Sequence, residues 1–414
     1  MINKLKNLGP GLLFAGAAIG VSHLVQSTRA GADFGLGLIW ALLLVHLFKY
    51  PFFQFGPRYT TATGKSLLEG YYKLGKGILG IYYVLNIATM FTIQAAVTIV
   101  TAGLAATLFG DFETFKIGNK LITSTEIWTV IILAICLLLL IIGRYKLLDR
   151  LMKVIIVTLT ISTIIAVSMA LLDNTERISF KQILPETPLE IAFLIAFMGW
   201  MPAPLDISVW QSLWVIEKNK NTKVYNTKSA LFDFNVGYAS TIVLGIAFLL
   251  LGTLVMYNSG ETFSNSASVF SGQLINMYTV NLGNWAYIII GVAAFTTMFS
   301  TTLTTLDASP RVMAKSTQLL CNKISKLNYT FWIVTLSIGT LAIFFFLASE
   351  MGLLIKIATI LSFITAPFYA ISNYILICSK HTPKDRRPSK QLHILSWLGI
   401  FFLIGFSIWF LTTI

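Results

Sequence analysis

The residues with the most chemical reach in this chain stand where apolar runs are interrupted. His23 follows Gly20-Val21-Ser22 in the middle of the first run, and Asp206 follows Met201-Pro202-Ala203-Pro204 in the sixth. Imidazole and thioether groups suit transition metals, whereas harder cations need carboxylate, carbonyl and water oxygens. His23 and Met201 supply softer donors, Asp206 is the one acid close to either break, and backbone carbonyls freed near Gly20 and Met201 add oxygens. His23, Met201 and Asp206 are therefore the candidate metal ligands, with Gly20 and Gln26 completing the candidate substrate-binding set. Each also has a plainer reading. His23 equally fits a satisfied core histidine donating to a carbonyl of the broken helix. Met201, three residues after Met198, equally fits adaptable packing. A carboxylate at membrane depth costs roughly 2.5–3.5 kcal/mol and normally has a partner. For Asp206 that partner is a cation substrate or Arg29, a counter-ion on the polar half of the first run that can also pair with Asp33.

The elements that must hold these groups are membrane helices. Of 414 residues, 56% are hydrophobic and only 11% charged, with a mean hydropathy of +0.77, whereas a soluble domain carries about a quarter charged residues. A crossing needs roughly 20 apolar residues. Runs bounded by charge and turn residues predict eleven spans, near 9–30, 36–57, 77–107, 127–143, 150–172, 188–214, 229–256, 284–308, 330–348, 352–379 and 394–413. Two of them are broken. The first is interrupted at Gly20, Val21, Ser22 and His23; in the sixth, Pro202 and Pro204, with Ala203 between them, remove backbone donors and open the helix near Met201. Freed carbonyls at membrane depth are tolerated only where they line a cavity or are buried in protein. Paired broken helices in corresponding positions of two halves point to a transporter substrate site.

The net charge of +13 is a topology signal. With the N-terminus in the cytoplasm, 23 of the 30 Lys and Arg residues fall on that side, four (Lys116, Lys120, Arg177, Lys181) on the other, and Arg29, Lys49 and Lys356 within spans. This asymmetry predicts N-in, C-out. Lys49, His46 and Lys356 are read as near enough to span ends to snorkel, and Asp307 as a capping or loop-pairing residue. No connection is long enough to build a basic nucleic-acid-binding face. The first run continues through Arg29 and Asp33 without a small-residue cleavage site, so it is read as retained. Three cysteines make no disulfide framework.

Enzyme chemistry finds no support. There is no His-Glu-x-x-His, Gly-x-Ser-x-Gly or Cys-x-x-Cys, and Gly64-Lys65-Ser66 lacks the glycine of a phosphate loop, Tyr59 standing there. His23, His46, His381 and His393 show no zinc-ligand spacing. No ATP-hydrolysing domain or partner is implied, and no cofactor; uphill transport would draw on an ion gradient.

Several ordered fragments resemble the Nramp (natural resistance-associated macrophage protein) family of proton-coupled divalent metal importers. They are Gly9-Pro10-Gly11, Ala30-Gly31-Ala32-Asp33-Phe34-Gly35, Ala62-Thr63-Gly64-Lys65-Ser66-Leu67, Gly143-Arg144-Tyr145-Lys146, Met201-Pro202 and Leu361-Ser362 through Pro367-Phe368. The resemblance implies an all-α polytopic membrane protein with a leucine-transporter-like pair of inverted five-helix repeats, here 1–175 and 185–380, and an extra helix in 381–414. It also locates departures. Counting back from Ala30-Gly31-Ala32, the family's Asp-Pro-Gly-Asn metal motif falls on Gly20-Val21-Ser22-His23. The family's Met-Pro-His becomes Met201-Pro202-Ala203, and its Asp and Glu of the proton route fall on Gln94 and Val97. What the resemblance implies is a secondary transporter or facilitator of divalent cations in a bacterial inner membrane, with a degenerate metal site and weak or absent proton coupling. The residues also admit an amino-acid or small organic solute transporter on the same fold, or a non-transporting sensor or structural component.

Overall fold

A computed structural model describes residues 9–118, 120–142, 145–173, 179–221, 226–257, 262–321, 327–347 and 350–413. Lys4, Lys6, Gly143, Arg144, Arg177, Lys223, Lys323 and Lys326 lie outside the described residues. Helices dominate: α1 (Pro10–Ala18), a π-helical segment (Ser22–Ser27), α2 (Thr28–Phe34), α3 (Ile39–Thr63), α4 (Leu67–Leu74), α5 (Lys76–Phe109), α6 (Ser124–Ile142), α7 (Tyr145–Asp173), α8 (Pro188–Trp200), α9 (Ile207–Asn221), α10 (Thr227–Met256), α11 (Ala267–Leu282), α12 (Ala286–Leu320), α13 (Tyr329–Ala342), α14 (Met351–Cys378) and α15 (Lys390–Thr413). Among the described residues eight helical stretches are long and apolar enough to cross a membrane, while 157–172 and α8 are shorter apolar helices.

The polar residues between apolar runs act as helix punctuation. Gly64 takes a left-handed conformation (φ 69°) that closes α3, and Ser66 forms a capping box with Glu69 that starts α4. Gly64-Lys65-Ser66 thus serves helix ends. Thr187 and Glu190 start α8 in the same way, with Pro188 in the first turn. At the start of α1, the Gly9 and Gly11 amides donate to the two carboxylate oxygens of Asp233 at 3.0 and 2.8 Å. Where α2 meets α10 the backbones nearly touch: a Cβ at Gly31 would lie 2.0 Å from Leu249 O, and one at Gly252 2.2 Å from Thr28 O. Only glycine permits that approach, which in a membrane supplies close packing in place of the hydrophobic drive between helices.

Two elements depart from the expectations. A small antiparallel hairpin (β1, Phe115–Ile117; β2, Lys120–Ile122) sits in the α5–α6 connection. α11 was not foreseen: its apolar residues, including Phe270, Leu274 and Ile275, are buried, but it has 16 residues, below spanning length. The eighth run also continues as helix through Pro310 to Leu320, so Asp307 lies inside α12, where it pairs with Arg311 at 2.7 Å and accepts from Tyr329 Oη at 2.7 Å.

The α12 helix packs along α5, α10 along α1 and α2, and α14 along α8. The two breaks therefore lie in the interior of the bundle.

Candidate functional site

Both breaks are present. The first helix stops at Ala18; Ile19 leaves helical geometry (φ −80°, ψ 80°), and helix resumes at Val21, so the gap falls at Ile19-Gly20, slightly before Ser22 and His23. The sixth stops at Trp200, Met201 is extended (φ −87°, ψ 128°), and α9 begins at Ile207. Between them lies a small cavity with about 30 Å³ of room for water centres, lined by Ala17, Ala18, Val21, Ser22, Ile93, Val97, Trp200, Pro204, Ile207, Trp210, Thr301 and Thr305. That volume exceeds the roughly 10–15 Å³ needed for one water. Its polar equipment is hydroxyl and indole: Thr301 Oγ1 donates to Gly16 O at 3.3 Å, Thr305 bonds Thr301 O, and the buried Trp210 Nε1 has no partner. Among the described residues no carboxylate lines it.

The first break leaves little room for a side chain at Gly20, the position to which the resemblance assigns the family's acid. A Cβ at Gly20 would lie 2.8 Å from Thr301 Oγ1 and 2.9 Å from Thr301 Cγ2. An aspartate does not fit unless Thr301 moves.

His23 is engaged at both ring nitrogens. Nδ1 is 2.7 Å from Ser22 Oγ and 3.1 Å from Ala18 O, and Nε2 is 3.0 Å from Thr241 O. The imidazole ties the frayed end of α1 to α10, which is the structural reading of His23; no lone pair is left facing the cavity. Gln26 is buried on the same π-helical segment. Met201 is fully buried, its sulfur 4.0 Å from Ser27 Oγ.

The Arg29 to Asp206 pair does not form. Arg29 instead bonds Ser264 O, reaches Asn265 Oδ1 at 3.3 Å and stacks over Phe270, 5.4 Å from the ring centroid. Its hydrogen bonds go to the segment entering α11, and Asp33 lies within its electrostatic reach.

Asp206 caps the start of α9, its carbonyl accepting from Val209 N at 2.8 Å, and is only 3% exposed. One of its carboxylate oxygens, Oδ1, has no hydrogen-bond partner. Around it stand Tyr71, Tyr82 and Tyr369, all within electrostatic reach. Tyr71 donates to Asn373 Oδ1 at 2.5 Å, whereas the Tyr82 and Tyr369 hydroxyls are buried and unpartnered. Tyr82 and Tyr369 rings are 5.8 Å apart. Asp206 Oδ1 and the Tyr82 and Tyr369 hydroxyls are thus buried, unpartnered and within electrostatic reach of one another's groups.

Lys49 corrects the snorkelling expectation. It lies ten residues from one end of α3 and fourteen from the other, about 15 Å from the nearer end at 1.5 Å per residue, beyond a lysine's reach. Fully buried, its ammonium donates to Met198 O (2.8 Å), Gly199 O (2.7 Å) and Ala203 O (3.4 Å). These are carbonyls released by the sixth helix's break. His46 is likewise buried, with Nδ1 donating to Leu42 O at 2.7 Å, whereas Lys356 is exposed as expected. Sequence reasoning missed the Lys49 contact; the signal was its depth in the second run.

At the positions the resemblance assigns to the proton route, Gln94 Nε2 donates to Thr98 Oγ1 and Thr302 O at 3.2 and 3.3 Å, and Val97 faces the cavity. Among the described residues no three of His, Cys, Asp and Glu come together as metal ligands.

A polytopic helical bundle with two interrupted helices facing each other across a buried cavity is the architecture of a solute carrier of the inverted-repeat kind. The chain belongs to the natural resistance-associated macrophage protein-like (Nramp) family, whose family model matches residues 11–413. It is an integral membrane protein. "Uncharacterized protein PM0681" of Pasteurella multocida (strain Pm70) is 37% identical over 415 residues, spanning 99% of this chain and 92% of that one. Among solved structures, a mutant of the Eremococcus coleocola manganese transporter superposes with a TM-score of 0.71 at 14% identity, covering 96% of this chain and 84% of that one. MhsT in complex with L-phenylalanine superposes with a TM-score of 0.64 at 13% identity, covering 98% of each. At such identities the two structures establish the shared fold alone.

Proposed function

We propose that the chain is an Nramp-type secondary transporter or facilitator that moves a divalent metal cation by alternating access, residues 1–175 and 185–380 acting as the two inverted repeats. The observation that carries this reading is Asp206: a buried carboxylate at the helix break with an unpartnered oxygen. With Gly20 leaving no acid at the break in the first helix, Asp206 supplies the negative charge, the Tyr82 and Tyr369 hydroxyls supply oxygens, and Met201 supplies the thioether. Carboxylate and neutral oxygen donors suit magnesium- or manganese-like ions better than a thiolate-loving metal. Family membership supports the same substrate class. The remaining parts of the reading are an N-in, C-out orientation in a bacterial inner membrane and little proton coupling. Purified protein in liposomes is expected to take up manganese, cadmium or magnesium above empty vesicles, and Asp206→Asn to lower uptake at least tenfold. Vesicles indistinguishable from empty ones for all three ions would overturn the proposal.

One observation favours a second reading, a small organic solute. The central cavity is lined by apolar, hydroxyl and indole groups with no carboxylate among the described residues, the lining of a neutral-ligand site, and it would have to widen from its about 30 Å³ to admit one. Uptake of a labelled amino acid that Asp206→Asn leaves unchanged would select it.

A further inference from the structure

The Lys49 contacts point to a role for that residue that the metal-transport reading lacks. Backbone carbonyls released by a broken membrane helix are the oxygens with which such helices coordinate cations. Here three of them, from Met198, Gly199 and Ala203, already hold a cation, and it belongs to the chain. An ammonium has three donors and no acceptor, so this one is saturated by the break. Asp206 lies within electrostatic reach of Lys49, yet the Lys49 hydrogen bonds go to carbonyls and Asp206 Oδ1 has no hydrogen-bond partner. Met201 lies within the segment whose carbonyls Lys49 occupies, and Asp206 three residues past its end. Any ion that draws on these carbonyls must therefore meet the Lys49 amine, whose three carbonyl acceptors match the three N–H donors of an ammonium.

We propose that Lys49 is a tethered cation that fills the carbonyl site of the sixth helix when substrate is absent, and that a substrate cation binds there only by displacing it. The inference rests on the cation reading above and adds to it a specificity device. With the ammonium seated, the carbonyls are satisfied without metal, so the break stays formed in the empty carrier. With a divalent ion present, like-charge repulsion inside a low-dielectric bundle drives the ammonium away from the carbonyls or keeps the ion out. Only ions bound strongly enough by Asp206 and the freed carbonyls then load the site, which raises the threshold for binding.

The test is calorimetric binding of manganese, cadmium and magnesium to the purified full chain and to Lys49→Met, Lys49→Gln and Lys49→Arg, with thermal melting and gel filtration to establish folding. Lys49→Gln keeps an amide donor for the carbonyls and serves where Lys49→Met fails to fold. The expected result is a dissociation constant at least tenfold lower in the neutral variants and not lowered in Lys49→Arg, which retains the charge. Binding by the wild type with constants within twofold in folded Lys49→Gln or Lys49→Met would overturn the tethered-cation role and leave the transport reading standing. Binding only in the neutral variants supports the role and removes the wild type as a metal carrier. Absence of binding in all four proteins would overturn both.

Discussion

The Thr301 side chain stands where any side chain at Gly20 would have to go, its Oγ1 and Cγ2 at 2.8 and 2.9 Å from the position of a Cβ there. At the position where the family resemblance would put an aspartate, a side chain therefore competes with Thr301 for the same space. Gly20→Asp is expected to lower stability by about 1–3 kcal/mol, as overpacking of a tight core does, and to leave metal affinity unimproved. Gly20→Asp with Thr301→Ala is expected to recover most of the melting temperature and to bind cadmium more tightly than the wild type. Tighter cadmium binding by the single variant, with Thr301 intact, would show that the clash does not govern the site.

His23 separates the structural and ligand readings cleanly. Its two nitrogens bridge Ala18 O and Ser22 Oγ on one side and Thr241 O on the other, and Ala18 O keeps Ser22 Oγ as a donor without it, so His23→Ala removes the tie to Thr241 O, a loss of about 1–3 kcal/mol. Thermal melts are expected to drop, while the metal dissociation constant of the folded fraction stays within threefold of wild type. A drop in affinity of tenfold or more with an unchanged melt would return His23 to the ligand set.

Much of this was legible beforehand, for identifiable reasons. The breaks at Gly20 and Met201 announce themselves because proline and clustered glycine act locally on the backbone, and the long apolar runs follow from composition. Which groups meet across those breaks is a tertiary matter. Lys49 and Met198 are 149 positions apart, and Arg29 and Ser264 are 235 apart; no periodicity relates them. The sequence therefore offered Arg29 to Asp206, the two rarest charges near the breaks, while the folded chain gives Arg29 to the segment before α11 and places Lys49 nearest the freed carbonyls. α11 escaped notice because its apolar residues are diluted by Ser, Asn, Gln and Thr.

Arg29 carries its own prediction. Since its guanidinium holds Ser264 and Asn265 and covers Phe270, Arg29→Ala is expected to loosen the segment around 262–266. A cysteine placed at Ser264 should react with a maleimide several-fold faster in Arg29→Ala than in wild type, and solute uptake should fall by less than threefold. Complete loss of uptake with unchanged labelling would place Arg29 in the substrate site after all.

Proton movement is the last point on which the side chains speak. A titratable relay needs groups that can gain and lose a proton within reach of the substrate, and the positions that resemble the family's relay hold Gln94, Val97 and Ala203. Gln94 is neutral and donates its amide to Thr98 and a main-chain carbonyl. Val97 presents a hydrocarbon to the cavity, and Ala203 has only a methyl group. The Thr101 and Thr302 hydroxyls on the same face lie 2.8 Å from each other and bond the Val97 carbonyl, and hydroxyls do not ionise in this range. Asp206 is left as the one acid beside the break, and an acid that holds the substrate cation cannot also carry a proton in the same step. Substrate entry into liposomes loaded with a pH-sensitive dye is therefore expected to leave the dye signal at the level of empty vesicles, and an imposed pH gradient to change the initial rate by less than twofold. Stoichiometric acidification of the lumen during uptake, abolished by Asp206→Asn, would instead assign the proton to Asp206 and require the cation to be held by the carbonyls and Met201.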